Sequence, residues 1–267
     1  MRRLQTQTRL RARVLWAGVL ALAACTGCGG GAADTHTRQR AAGELDVVAF
    51  VRDVALTTRP SLAPPQGSED TLLAAARAAT GDERRARYRD LALERMWLAD
   101  AEPQERVARR GRRSALEAMQ EASKRNRDED LALDLAFVEL WTAWRGATPN
   151  AARAAERFTE RTATHAGDLR FVGWIIRGEI AIGASRWDDA AQAYRWLLAE
   201  LDHPLYALGL YRTAYIYRQQ GRVDDARQAM NEAATAGDAP SAHPWAKRVS
   251  LAAHAAAGTH PPAPEAR

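Results

Sequence analysis

The chain carries the octet Arg186-Trp187-Asp188-Asp189-Ala190-Ala191-Gln192-Ala193, which returns as Arg222-Val223-Asp224-Asp225-Ala226-Arg227-Gln228-Ala229. Six of the eight positions are identical, and the two copies lie 36 residues apart. A period of this length is typical of one helix–turn–helix unit. The Asp pairs suit helix starts, because acids complement the positive end of the helix dipole. The repeat therefore predicts a stack of helical hairpins.

The likeness of the two copies extends beyond the octet on both sides. Gly178 in the first copy corresponds to Ala214 in the second, and Tyr194 corresponds to Met230. Each copy places a small residue halfway along a first helix and a larger apolar residue in the second helix. Antiparallel helices approach closely only where small residues face each other, and larger side chains fill the gaps beside the crossing. The pattern therefore predicts closely paired helices.

The two copies resemble the tetratricopeptide repeat, with the clearest repeats at 171–204 and 207–238. This resemblance implies an all-α fold, an α-solenoid of stacked antiparallel helix hairpins. A weaker copy places Ala154 and Phe158 where Ala190 and Tyr194 would predict, and Trp245 to Ala257 would be a solitary helix covering the apolar end. The residues that carry the resemblance are Trp174, Gly178, Ala181, Trp187, Ala190, Tyr194 and Leu197 in one copy, and Leu210, Thr213, Ala214, Tyr217, Gly221, Val223, Ala226, Met230 and Ala233 in the other. Arg177 departs from the pattern, because a Leu is usual at its position.

In tetratricopeptide arrays the first helices of successive hairpins line a groove that binds a partner segment. If this carries over, the groove combines aromatic and Arg side chains, which are the usual anchors of binding surfaces. A packing role for the tyrosines between hairpins is the alternative. The predicted groove residues are Glu179, Tyr211, Arg212, Tyr215 and Arg218.

The first 24 residues have the features of a secretory signal peptide, a basic start followed by a short apolar run. They end in Leu22-Ala23-Ala24-Cys25, which resembles the lipobox of bacterial lipoproteins and implies a lipid on Cys25. An ordinary signal peptide with an incidental Cys is the alternative. Thr26 replaces the Asp that marks inner-membrane retention, which favours the outer membrane, facing the periplasm, within the bacterial envelope.

Removal of the leader changes the charge of the chain. Five of the 38 basic side chains lie in the leader, which leaves 33 against 33 acidic side chains and no net charge. The basic isoelectric point therefore gives no support for nucleic-acid binding. Cys25 and Cys28 form a Cys-x-x-Cys pair, but lipidation of Cys25 would remove its thiol from redox or metal chemistry.

Composition divides the rest of the chain. Residues 25–43 read as a flexible tether, and 44–67 as a short amphipathic segment, helix rather than strand, followed by a Pro-rich loop. Residues 68–257 form the predicted hairpin domain, in which Asp82 and Pro103 are expected to begin two helices. A disordered tail is expected over 258–267.

One stretch concentrates basic charge, from Arg106 to Arg127. A solvated helix face paired with nearby acids is the simplest interpretation. The alternative is a patch for anionic lipid headgroups, cell-wall polymer or an acidic partner. The central arginines of this basic patch are Arg106, Arg109, Arg110, Arg112 and Arg113.

The chain lacks the spacings of common catalytic and metal-binding motifs, such as His-Glu-x-x-His and Gly-x-Ser-x-Gly. We therefore expect no catalytic residue, no metal, no cofactor and no small-molecule substrate. The favoured function is a non-enzymatic scaffold that binds an unknown envelope protein in a tetratricopeptide-type groove. One alternative is an envelope enzyme, for instance peptidoglycan-acting, with Glu139, Glu179 or His165 in a cleft. The other is an obligate structural subunit.

Overall fold

The computed structural model describes residues 44–125, 127–164 and 167–258, and the secondary structure of these residues is entirely helical. They belong to one compact unit. A short 3-10 helix, Pro60–Leu62, follows the first α-helix. The α-helices are α1 Val47–Thr58, α2 Glu69–Ala78, α3 Gly81–Ala101, α4 Glu105–Ser123, α5 Glu129–Arg145, α6 Ala151–Thr162, α7 Leu169–Gly183, α8 Trp187–Leu198, α9 Tyr206–Gln219, α10 Val223–Thr235 and α11 Pro244–Ala257.

Consecutive helices pack against each other in pairs, α3 with α4, α5 with α6, α7 with α8 and α9 with α10. Each pair also contacts the helix that follows it, and α11 rests on both α9 and α10. The hairpins therefore form the solenoid-like stack that the repeat predicts. The final single helix is present as Pro244–Ala257, one residue longer at its start than expected.

Small residues sit where the helices approach most closely. A Cβ atom added to Gly178 of α7 would lie 2.5 Å from Cε2 of Tyr194 in α8. In the first hairpin, a Cβ on Gly111 would lie 2.8 Å from the Cβ of Ala99. At both positions a side chain of the neighbouring helix lies directly against the glycine backbone, as expected for tightly packed helix pairs.

Aromatic rings fill the core between the earlier hairpins. The Trp141 ring centroid lies 5.2 Å from that of Trp97 in α3 and 5.4 Å from that of Trp144. Phe137 links this group to Phe158 of α6, at 6.2 Å. Phe158 is fully buried, which is the role that the weaker repeat copy predicts for it.

Helix ends follow the local chemistry, with two corrections. Ser68 caps α2 and Asp128 caps α5, each through its side-chain oxygen. Asp82, however, lies inside the first turn of α3, whose N-cap is Thr80. Pro103 precedes α4, which begins at Glu105.

The segment 44–67 is not separate from the hairpin domain. Helix α1 forms as predicted, and its buried residues Phe50, Val51 and Val54 are completely shielded from solvent. They belong to the same hydrophobic core as the hairpins. The predicted signal peptide 1–24, Cys25 and the rest of the tether lie outside the described residues, as does the tail from residue 259.

Candidate functional site

The predicted groove residues lie on α7 and α9, two first helices of hairpins. Together with α3, α5 and α11, these helices form what we call the odd-helix face. Contacts join α3 to α5, α5 to α7 and α9 to α11, so the face continues from one hairpin to the next. In a tetratricopeptide array this is the face that would line the groove.

Helix α1 and its flanks cover the odd-helix face. Near the start of this segment, the backbone of Leu45 hydrogen-bonds the Tyr211 hydroxyl of α9. Burial raises the pKa of Tyr211, and this hydrogen bond opposes the increase only in part. Farther along, α1 packs on α7, and Asp53 forms an ion pair with Arg248 of α11.

The end of the covering segment is fixed to α5 and α3. Asp134 of α5 is 1% exposed and forms an ion pair with Nε of Arg59. It also accepts hydrogen bonds from Ser61 at 3.2 Å and from Arg89 at 3.2 Å. The indole nitrogen of Trp97 donates to the carbonyl oxygen of Leu62 at 2.8 Å. The segment 44–62 therefore contacts all five helices of the odd-helix face.

Glu179 of α7 and Arg212 of α9 form a buried ion pair. Nε and Nη2 of Arg212 donate to the two carboxylate oxygens of Glu179 at 2.7 and 2.6 Å. The hydroxyl of Tyr194 donates to the same carboxylate. The Arg212 and Glu179 side chains are only 9% and 11% exposed. Neither presents a free charge to a partner, so the pair acts within the fold.

The electrostatics of this cluster keep Arg212 charged and Tyr194 neutral. Burial is the largest single influence and lowers the pKa of Arg212, but the charge interactions and hydrogen bonds with Glu179 and Tyr194 together outweigh it, and the net pKa is raised. Burial also raises the pKa of Tyr194 well above its ordinary value, and the negative charge of Glu179 adds to this effect. The phenol consequently remains a hydrogen-bond donor to the carboxylate.

Two predicted groove residues, Tyr215 and Arg218, remain accessible at the edge of the face. Tyr215 is partly buried and Arg218 is exposed. The guanidinium of Arg218 lies 5.5 Å from the Tyr215 ring centroid, within cation–π range. The ring centroid of Trp187 in α8 lies 6.5 Å from that of Tyr215. We call Trp187, Tyr215 and Arg218 the aromatic edge.

Trp187 was not among the predicted site residues, although it stands in the repeated octet. Trp187 lines a cleft of about 360 Å³ between the start of α8 and the end of α9. The signal was the difference between the copies, because the second octet has Val223 at this position. A position that differs between the two copies is not required for the common hairpin packing, so its residue can have a function specific to one copy.

The basic patch is divided by burial. Arg112 is buried and donates through Nη2 to Glu105 at 2.6 Å, so it does not belong to an exposed patch. The exposed members of the patch are Arg106, Arg109, Arg110 and Arg113.

Among the described residues considered for catalysis, Glu139 and Glu179 belong to different surroundings. Glu139 lines a cleft of about 290 Å³ between α4, α5 and α6, where it forms an ion pair with Arg157. The lining contains no second carboxylate, whereas glycoside hydrolysis usually requires a pair. Glu179 is held by Arg212, and His165 lies outside the described residues.

Ser250, His254 and Asp238 do meet, but in the wrong order for a catalytic triad. The Asp238 Oδ1 atom lies between the other two, 3.0 Å from Ser250 Oγ and 3.1 Å from His254 Nε2. A triad requires His next to the nucleophile, with Asp behind it. Ser250 instead donates to the carbonyl oxygen of Ala234, which ties α11 to the end of α10.

Comparisons with known proteins do not identify the chain. No known protein family matches it, and neither curated proteins nor solved structures give a significant match. Among the described residues, no His, Cys, Asp and Glu side chains form a group of three or more suited to a metal ion. None of the described helices combines the length and apolar character that a membrane span requires.

Proposed function

We propose that this chain is a tetratricopeptide-type lipoprotein that acts as a non-enzymatic interaction scaffold in the bacterial envelope. A lipid on Cys25 holds it at the outer membrane, on the periplasmic side. Support for the anchor comes from the basic leader and the Leu22-Ala23-Ala24-Cys25 sequence. Support for a scaffold comes from the solenoid-like stack, an architecture that offers a long continuous surface.

The observation that carries the proposal is the occupation of the odd-helix face by a helix of the same chain. Helix α1 buries Phe50, Val51 and Val54 on this face and adds ion pairs along its length. The face therefore has the chemistry of a helix-binding surface, apolar at the centre and charged at intervals. Because α1 takes the central part, a partner has access only to what remains exposed.

The aromatic edge is the proposed docking point for an envelope protein. Trp, Tyr and Arg are the residue types that contribute most to protein–protein binding. Here Tyr215 lies next to both Trp187 and Arg218, and Trp187 also lines a cleft.

Affinity purification from detergent-solubilised envelopes, followed by mass spectrometry, tests this proposal. The variant Tyr215→Ala/Arg218→Glu is expected to lose the principal co-purifying protein. The matched control is Arg84→Glu/Tyr88→Ala, because Arg84 lies 5.3 Å from the partly buried Tyr88 ring in the same type of contact on α3. Equal capture by both variants would reject the aromatic edge. Separately, Cys25→Ser is expected to leave the membrane fraction.

A permanent structural subunit is the second candidate, and one observation favours it. The rings of Trp174 and Trp196 stack at 5.1 Å, and Trp196 is 53% exposed. The corresponding residue of the next repeat is Glu232, so packing of the hairpin does not need a Trp there. Co-migration of all the protein with one complex in gentle detergent, lost in Trp196→Glu, would support this role over transient binding.

A further inference from the structure

Four exposed arginines lie on one face of α4. Arg109 and Arg110 are adjacent and each lies three or four residues from both Arg106 and Arg113, so all four line the same side of the helix. The opposite side is the packed one, with its buried residues centred on Ala115. We call these four residues the arginine row.

The arginine row is poorly neutralised. Arg109 has an ion pair with Glu105, at 3.7 Å. Glu105 also forms an ion pair with Arg112, at the shorter distance of 2.6 Å. Within the described part of the chain, Arg106, Arg110 and Arg113 have no acidic partner in ion-pair range.

The position of the row is unfavourable for the fold itself. Like charges at i,i+3 and i,i+4 repel each other along a helix. Arg106 also lies in the first turn of α4, where the positive end of the helix dipole disfavours cations. The general charge of the protein does not explain the row, because the chain after the leader has equal numbers of basic and acidic side chains. An anionic ligand would relieve both effects at once.

We propose that the arginine row binds the anionic phospholipid headgroups of the membrane. This inference rests on the proposed lipid anchor at Cys25, which would hold the domain beside a bilayer. The tether of residues 25–43 can extend to about 65 Å at most, enough for α4 to meet the same surface.

The chemistry of the row fits a headgroup layer. One guanidinium group can donate two hydrogen bonds to the oxygens of a single phosphate. The arginine row contains no large exposed apolar side chain. The helix would therefore rest on the surface without inserting. A basic patch and a lipid chain together hold a protein at a membrane more firmly than one signal alone.

Vesicle binding by the chain without leader or lipid tests the row directly. Residues 26–267 retain every described helix, and these helices belong to one compact unit. Co-sedimentation is measured with phosphatidylcholine vesicles and with vesicles that also contain phosphatidylglycerol. We expect binding only to the latter, weakened by added salt. The variant Arg106→Gln/Arg110→Gln/Arg113→Gln is expected to bind about tenfold more weakly or worse.

The matched control removes the same charge elsewhere. Arg77, Arg153 and Arg195 are exposed on other helices and likewise have no ion pair among the described residues. Changing these three to Gln is expected to alter binding by less than about twofold, because a patch acts locally. Equal losses in both variants would show that net charge alone matters and would overturn the proposal. Binding to polyglutamate but not to vesicles would also overturn it, in favour of an acidic protein.

Thermal melting supplies a second readout. If the row is held against local repulsion, its Gln variant is expected to melt at the same temperature or higher. A lower melting temperature would show that the arginines stabilise α4 and would contradict the argument. Because the tested chain has no lipid, absence of vesicle binding would overturn the headgroup proposal but would not bear on the lipid anchor. The anchor is tested separately by membrane fractionation of Cys25→Ser.

Discussion

The hairpins α7–α8 and α9–α10 carry the same octet, yet they contact their surroundings differently. Within the octets the copies agree closely. Arg186 pairs with Asp189 at 2.9 Å, and Arg222 pairs with Asp225 at 2.7 Å. The buried positions are alanines in both copies, such as the fully shielded Ala190 in the first. The octet therefore specifies how a second helix begins and where it can pack closely.

The residues that join the two hairpins are not repeated. Glu179 of the first copy corresponds to Tyr215 of the second, and Arg212 corresponds to Ile176. The ion pair between Glu179 and Arg212 therefore occurs once, across the boundary between the repeats. Repeated residues determine each hairpin, and the unrepeated ones determine how one hairpin is fixed to the next.

The largest expected effect comes from breaking this joint. Arg212→Ala leaves the Glu179 carboxylate buried without its cation, which is expected to cost about 3–5 kcal/mol of unfolding free energy. Arg222→Ala removes the exposed octet pair with Asp225 and a contact with the Tyr217 ring, and is expected to change stability far less, because solvent screens an exposed pair. Urea denaturation measures both. Similar costs for the two variants would mean that the buried pair does not fix the hairpins together.

A smaller effect is expected where the helices cross. The second copy has Ala214 and Met230 at the positions of Gly178 and Tyr194. Gly178→Ala forces a methyl group against the fully buried Tyr194 ring and is expected to cost about 1–3 kcal/mol.

Adding Tyr194→Met to Gly178→Ala recreates the pair of the second copy. It also removes a hydrogen bond to Glu179. A double-mutant cycle is expected to give a favourable coupling, because the Met side chain can move away from the new methyl group. Strictly additive costs would show that the cost of Ala at position 178 does not arise from its contact with Tyr194.

The smallest effect concerns the turn before each octet. Ser185 has φ 55° and the corresponding Gly221 has φ 76°, so both copies need a left-handed residue there. Gly221→Ser is expected to lower stability by about 1 kcal/mol, since residues with a Cβ are strained in this region. Ser185→Gly is expected to raise it by about 0.5 kcal/mol or less, because greater freedom of the unfolded Gly offsets part of the relief. Thermal melting of both variants checks the opposite signs.

The sequence was informative about hairpins and less so about which residues face a partner. The octet, the small residues at the crossings and the single last helix all predicted observed features of the stack. Arg212 and Arg112 were grouped with exposed arginines, because the residue type alone does not reveal burial. The carboxylate partner of Arg212 lies 33 residues away, in a position that no local pattern relates to it, whereas that of Arg112 lies two turns earlier on the same helix.

What the sequence determined by itself is local. Periodicity fixes which side of each helix is apolar, and small residues fix where two neighbouring helices can approach. The tertiary structure alone decided that α1 covers the odd-helix face. Asp53 and Arg248, which help to hold it there, are 195 residues apart. The hydrophobic effect is non-directional, so the apolar side of α1 requires an apolar surface but does not specify which one. The odd-helix face exists only once the hairpins have stacked, and therefore only the tertiary structure provides that surface.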